Sequence, residues 1–87
     1  MIGMAPEQMQ QLAATLTTTI PQEIESIVTK VTAQLHGTQW IGTDRTQFES
    51  EWTGTYTPQL NNVRQALITF GQLATKEAQQ QVDASAS

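Results

Sequence analysis

Apolar residues at Met9, Leu12, Leu16, Ile20, Ile24, Ile27, Val31 and Leu35 follow one another in steps of three and four. So do Phe48, Trp52, Tyr56, Leu60, Val63, Leu67, Phe70 and Ala74. Steps of this kind line one face of an α-helix, which repeats every 3.6 residues or so. No segment alternates with the period of two that a half-buried strand requires. The spacing therefore predicts an all-α fold, a helix-turn-helix hairpin of two long antiparallel helices. Helix one is expected over about 6–36, a turn over about 37–43 and helix two over about 44–78. The stripe is lost over about 79–87, "QQQVDASAS", which is expected to fray as a flexible tail.

Local signals agree with these bounds. Pro6 is favoured at a first helical position, and Glu7 follows it near the positive end of the helix dipole. Gly37 is a natural left-handed cap for the end of helix one. Asp44 with Gln47 three residues later matches a capping box at the start of helix two. Two prolines interrupt the pattern. Pro21 removes a backbone donor inside helix one, and the β-branched run Thr17-Thr18-Thr19 precedes it, so a bend is expected near residues 17–21. The stripe changes step there, because Leu16, Ile20 and Ile24 make two consecutive fours. Gly54 and Pro58 repeat the problem in helix two, where a kink or break is expected.

A chain of 87 residues is one domain at most, and a domain of this size buries only about 60% of the surface its unfolded chain exposes. Without cysteine it has neither a disulfide staple nor a thiolate metal site. Two rods touching along one seam leave part of each apolar face wet. A second hairpin that completes a dimeric four-helix bundle would cover it. The residues expected in this core and dimer interface are Leu16, Ile20, Ile24, Ile27, Val31, Phe48, Trp52, Tyr56, Leu60, Val63, Leu67 and Phe70. Ile68 lies off the main stripe of helix two and is a candidate for a contact outside it.

The charge pattern excludes several function classes. Net charge is −4, and the four basic residues, Lys30, Arg45, Arg64 and Lys76, are dispersed. Neither nucleic acid nor an anionic membrane finds a basic patch here. The longest apolar stretch, "ALITFGQLA", is about half of what a membrane span needs, so no stable membrane insertion is expected. The opening "MIGMAPEQMQ" has neither the basic nor the apolar region of a Sec-type signal peptide. Catalytic chemistry lacks a clustered set of groups. The single His36 sits at the end of helix one, where a cationic ring complements the helix dipole. Glu23 and Glu25, like Glu49 and Glu51, are two residues apart on a helix, cannot face each other, and read as solvated surface. The chain is expected to be non-enzymatic, with no metal and no cofactor.

The middle of the chain holds "GTQWIG", followed by Phe48 and Trp52 one and two helical turns on. Gly42 tolerates the positive φ a turn needs, Trp40 is suited to close the open end of the bundle, and Phe48 and Trp52 are expected on the core side. Two amphipathic helices around a central Trp-X-Gly, here Trp40 to Gly42, resemble the WXG family of small substrates of the type VII (ESX) secretion system, similar to the early secretory antigenic target proteins. The resemblance covers essentially the whole chain. It implies a homodimer, or a heterodimer with another WXG-type protein, built as a four-helix bundle and handled by the type VII secretion machinery. Export would be in folded form from a Gram-positive bacterium, without a cleaved signal peptide, from the cytoplasm to the medium or cell surface. Trp40 and Gly42 carry over as motif residues that contribute to a composite export signal.

One departure stands out. Many exported members, or their partners, carry a Tyr followed four residues later by Asp or Glu after helix two. Here the one tyrosine, Tyr56, has Leu60 at that offset, and Asp83 has Gln79 four residues before it. Three alternatives follow: the chain is carried out by a partner, it is recognised differently, or it stays in the cell as an adaptor or chaperone for a larger Trp-X-Gly effector.

Overall fold

The computed structural model describes residues 5–40 and 44–86, with side chains to residue 84. The first helix comprises α1 (Pro6–Ala14), a π-helical turn at Thr15–Thr19, and α2 (Ile20–Gly37). The second comprises α3 (Asp44–Glu51), a π-helical turn at Trp52–Tyr56, and α4 (Thr57–Ala86). The described residues contain no strand. The two rods pack antiparallel as a hairpin of 68 × 17 × 16 Å.

Neither proline breaks its helix: of the kink or break expected at Gly54 and Pro58 the break does not occur, and the bend expected near residues 17–21 falls on an irregular turn. Each proline is preceded by a π turn, in which the hydrogen bond spans one residue more than in an α-helix. The N–H of Ile20, just before Pro21, donates to the carbonyl of Thr15. The N–H of Thr57, just before Pro58, donates to the carbonyl of Trp52. The same device thus carries the chain into a residue that cannot donate. A wider turn also takes up the extra residue in the apolar stripe. Leu16, Ile20 and Ile24 step by four across the first π turn, and all three remain buried or half-buried.

The seam is narrower than the stripes implied. Among the described residues the buried apolar side chains are Ala13, Leu16, Ile24 and Ala78. Gly71 and Pro21 are buried with them. Half-buried Ile20, Val28, Val31 and Leu35 extend the seam along helix one, and Leu60, Leu67, Ile68 and Ala74 along helix two. Ile68 therefore borders the hairpin seam instead of standing outside it. A β-carbon on Gly71 would lie 2.5 Å from Thr17 Cγ2 and 2.9 Å from Leu16 Cβ, so the rods approach there more closely than two side chains allow. Arg64 Nη1 donates to Glu25 Oε1 across the rods, and Trp52 Nε1 donates to Thr32 Oγ1 at 2.9 Å. These contacts fix the relative level of the helices.

Two boundary expectations are corrected. Gly37 remains the last helical residue and adopts no left-handed conformation; the chain leaves through Thr38 in an extended conformation. The capping box expected at Asp44 and Gln47 lies at the edge of the described residues, and the residues before Asp44 are outside them. Helix two does not end near residue 78 but runs to Ala86. Ala78 is buried, Gln79 donates to Asp83 one turn on at 3.0 Å, and Ala and Gln are good helix formers, so the segment holds its turns without an apolar stripe.

Candidate interaction surface

The tip of the hairpin is built on the exposed carbonyls that end helix one. Such groups have no intrahelical partner and need donors from elsewhere. Thr38 Oγ1 donates to the carbonyl of Gln34, Trp40 Nε1 to that of Leu35 at 3.1 Å, and Arg45 Nη2 to that of His36 at 3.5 Å. Three successive carbonyls are thus capped by side chains lying beyond the helix. Trp40 is half-buried, and its ring meets Phe48 with centroids 5.1 Å apart and planes tilted by 37°. Together with Val31, Gln34, Leu35 and Thr38, Trp40 lines an open groove of about 240 Å³. Gly42, the other motif residue, lies outside the described residues.

Ion pairs also gather at this end. Arg45 Nε binds Glu49 Oε1 at 2.9 Å along the helix, and His36 Nε2 lies 3.9 Å from the same oxygen. Glu49 and Glu25 are therefore engaged in pairs and are not simply solvated, as their spacing alone suggested. Among the described residues no group of three or more His, Cys, Asp or Glu could hold a metal ion. No described helix is long and apolar enough to cross a membrane.

The twelve residues expected in one core fall into two sets. Leu16, Ile20, Ile24, Val31, Trp52, Leu60 and Leu67 are buried or half-buried along the hairpin. Ile27, Tyr56, Val63 and Phe70 are 48%, 51%, 50% and 56% exposed, and Phe48 is exposed as well. For Phe48 this corrects the core placement, since its ring packs on Trp40 and leaves the other side to solvent.

The exposed set forms a second surface. At about 100° per residue, Ile27 is displaced from Ile24 by about 60°, and Val63 and Phe70 from Gly71 by about 80–100°, in the same rotational sense. On antiparallel rods, equal-handed displacements fall on the same broad side. Ile27, Tyr56, Val63 and Phe70 therefore share one apolar face of the hairpin, while Glu25 and Arg64 pair on the other side. Sequence reasoning missed Ala13, Gly71 and Ala78 as seam residues. The spacing of Gly71 and Ala78 with Leu67 and Ala74 in helix two was available, but small side chains add little to a hydropathy stripe.

No family model matches the chain, and neither a curated protein nor a solved structure proves similar to it.

Proposed function

We propose that this chain is a small non-enzymatic substrate of a type VII (ESX) secretion system that acts after export as a helical-hairpin interaction module. The supporting observation is the apolar face of Ile27, Tyr56, Val63 and Phe70 on a hairpin whose own core is thin. A monomer leaves these side chains in water, and pairing with another WXG-type hairpin covers them as a four-helix bundle does. Trp40, capping helix one at the tip beside an open groove, is the residue that such a reading makes part of the export signal. The protein would be made in the cytoplasm and reach the medium or the cell surface in folded form.

The test is an immunoblot of culture supernatant against lysate, in the native host and in a strain lacking the secretion ATPase, with a cytosolic marker as lysis control. ATPase-dependent appearance outside the cell supports the reading. Retention, under conditions where a known substrate is exported, contradicts it. A second reading, an intracellular adaptor for a larger Trp-X-Gly effector, draws on one observation: the residue four before Asp83 is Gln79, bonded to it at 3.0 Å, where an export signal of the family's kind has Tyr.

A further inference from the structure

We propose that α3 is a hinged arm: it tilts away from helix one about the second π turn, at Trp52–Tyr56, while the rest of the hairpin stays packed. The tip then has two shapes, closed and open. This device goes beyond the function proposed above and depends on neither export nor pairing.

The two π turns share a local defect but differ in what holds them. An α-helix would direct the N–H groups of residues 57 and 58 at the carbonyls of Thr53 and Gly54. Here the N–H of Thr57 is turned to Trp52, and Pro58 has none. The first π turn loses the equivalent bonds, because Ile20 donates to Thr15 and Pro21 cannot donate. That turn lies in the seam. Ala13, Leu16 and Pro21 are buried around it, and Thr17 stands against Gly71 of the other rod. The second turn has no buried residue, and neither does α3. Helices bend at π turns and prolines, and without packing across the turn the bend is opposed only by contacts at the tip.

Those contacts are light. Beside the pivot, Trp52 Nε1 donates to Thr32 Oγ1 at 2.9 Å. Further out, Arg45 Nη2 reaches the carbonyl of His36 at 3.5 Å, His36 Nε2 lies 3.9 Å from Glu49 Oε1, and Phe48 leans on Trp40. The shorter Arg45–Glu49 pair joins two residues of α3 and does not hold it to helix one. With eight residues, α3 is about 12 Å long at 1.5 Å per residue, so a tilt of about 25° moves its far end about 5 Å. That breaks the outer contacts and takes Phe48 from Trp40, which keeps its bond to Leu35. The Trp40 wall of the groove then loses its backing, and the groove changes shape. A few residues at the end of an element are what a hinge of this kind needs.

The two indole N–H groups of the chain, on Trp40 and Trp52, both sit at this end and report on the motion. Nitrogen relaxation-dispersion NMR of the full chain samples the microsecond-to-millisecond range of hinge motions. Exchange at one common rate is expected at both indoles and at the amides of residues 48–53, and not at residues 60–74 or at Thr15–Thr19. Thr32→Val removes the acceptor beside the pivot and should raise the open population about fivefold, the effect of one net hydrogen bond. Pro58→Ala, at an exposed position, returns a donor facing the Gly54 carbonyl and should lower that population by about the same factor. Flat dispersion across α3 in the wild type overturns the proposal. So does exchange of equal size at Thr15–Thr19, which is motion of the whole hairpin, or an open population that neither substitution moves. Open-state shifts of random coil over α3 overturn it as well, because they mean local melting in place of a tilt.

Discussion

The γ-methyl of Thr17 stands 2.5 Å from where a β-carbon on Gly71 would be. Thr17 cannot easily turn away, because its hydroxyl donates to the carbonyl of Ala13 at 2.8 Å and holds the rotamer. The neighbouring atoms are Leu16 Cβ and the Ala13 carbonyl oxygen, both tied to the helix backbone. Gly71→Ala should therefore destabilise the protein by about 1–3 kcal/mol, the usual cost of overpacking, in urea denaturation. Thr17→Ser removes the clashing methyl while keeping the hydroxyl. Combined with Gly71→Ala it should recover only part of the loss, because Leu16 Cβ at 2.9 Å and the Ala13 carbonyl oxygen at 3.1 Å remain; full recovery would place the whole cost on the methyl.

Gly54 behaves oppositely. It lies in the second π turn with nothing within 4 Å of an added β-carbon. Gly54→Ala should raise stability by about 0.5–1 kcal/mol, because alanine has less backbone freedom to lose. A decrease in the urea midpoint would show that the π turn depends on glycine.

At the tip, the ring and the N–H of Trp40 do separate work. Trp40→Phe keeps most of the contact with Phe48 but leaves the Leu35 carbonyl without its donor, a loss of about 1 kcal/mol. Trp40→Ala should cost more, yet less than the roughly 3–5 kcal/mol of a fully buried ring, since this one is half-exposed. Equal midpoints for the two variants would mean that the hydrogen bond carries the whole effect.

Arg64 pairs with Glu25 through one guanidinium nitrogen, but its Nε is buried without a partner. The pair is largely solvent-exposed on the Glu25 side and is worth little, whereas a dry unpaired donor costs about 1–3 kcal/mol. Arg64→Met, which keeps the apolar stem, should leave stability unchanged or raise it by up to about 1 kcal/mol. A clear fall in thermal midpoint would assign the ion pair more weight than its exposure implies.

Phe70→Gln removes apolar surface from the exposed face without touching the seam. It should reduce self-association in sedimentation velocity while leaving the helical circular dichroism of the chain intact. Loss of helicity at concentrations where wild type is monomeric would place Phe70 in the hairpin core instead.

The helical hairpin was legible because two stripes at helical spacing flank a central pair of glycines. Division of those stripes was not. An apolar band wider than the contact it serves does not say which half meets the neighbouring rod, so Ile24 and Ile27 look alike in sequence and differ in burial. The closest approach escaped notice because Ala13, Gly71 and Ala78 contribute space, not hydropathy. The prolines were visible as interruptions and read as a bend and a kink or break; the wider turn that accommodates each was not read, although three consecutive fours from Phe48 to Leu60 accompany the second. Capping of helix one by Thr38, Trp40 and Arg45 depends on where the chain goes after the helix, which no local pattern encodes.

That capping has a mechanical consequence. Arg45 belongs to the second helix and Trp40 to the segment leaving the first, yet both close onto the same turn of helix one. The hydrogen bond from Arg45 thus braces the second rod directly against the first at the tip. Their alignment is stored in side-chain contacts along the shaft, where Glu25 meets Arg64, and at its end, where Arg45 reaches back to helix one.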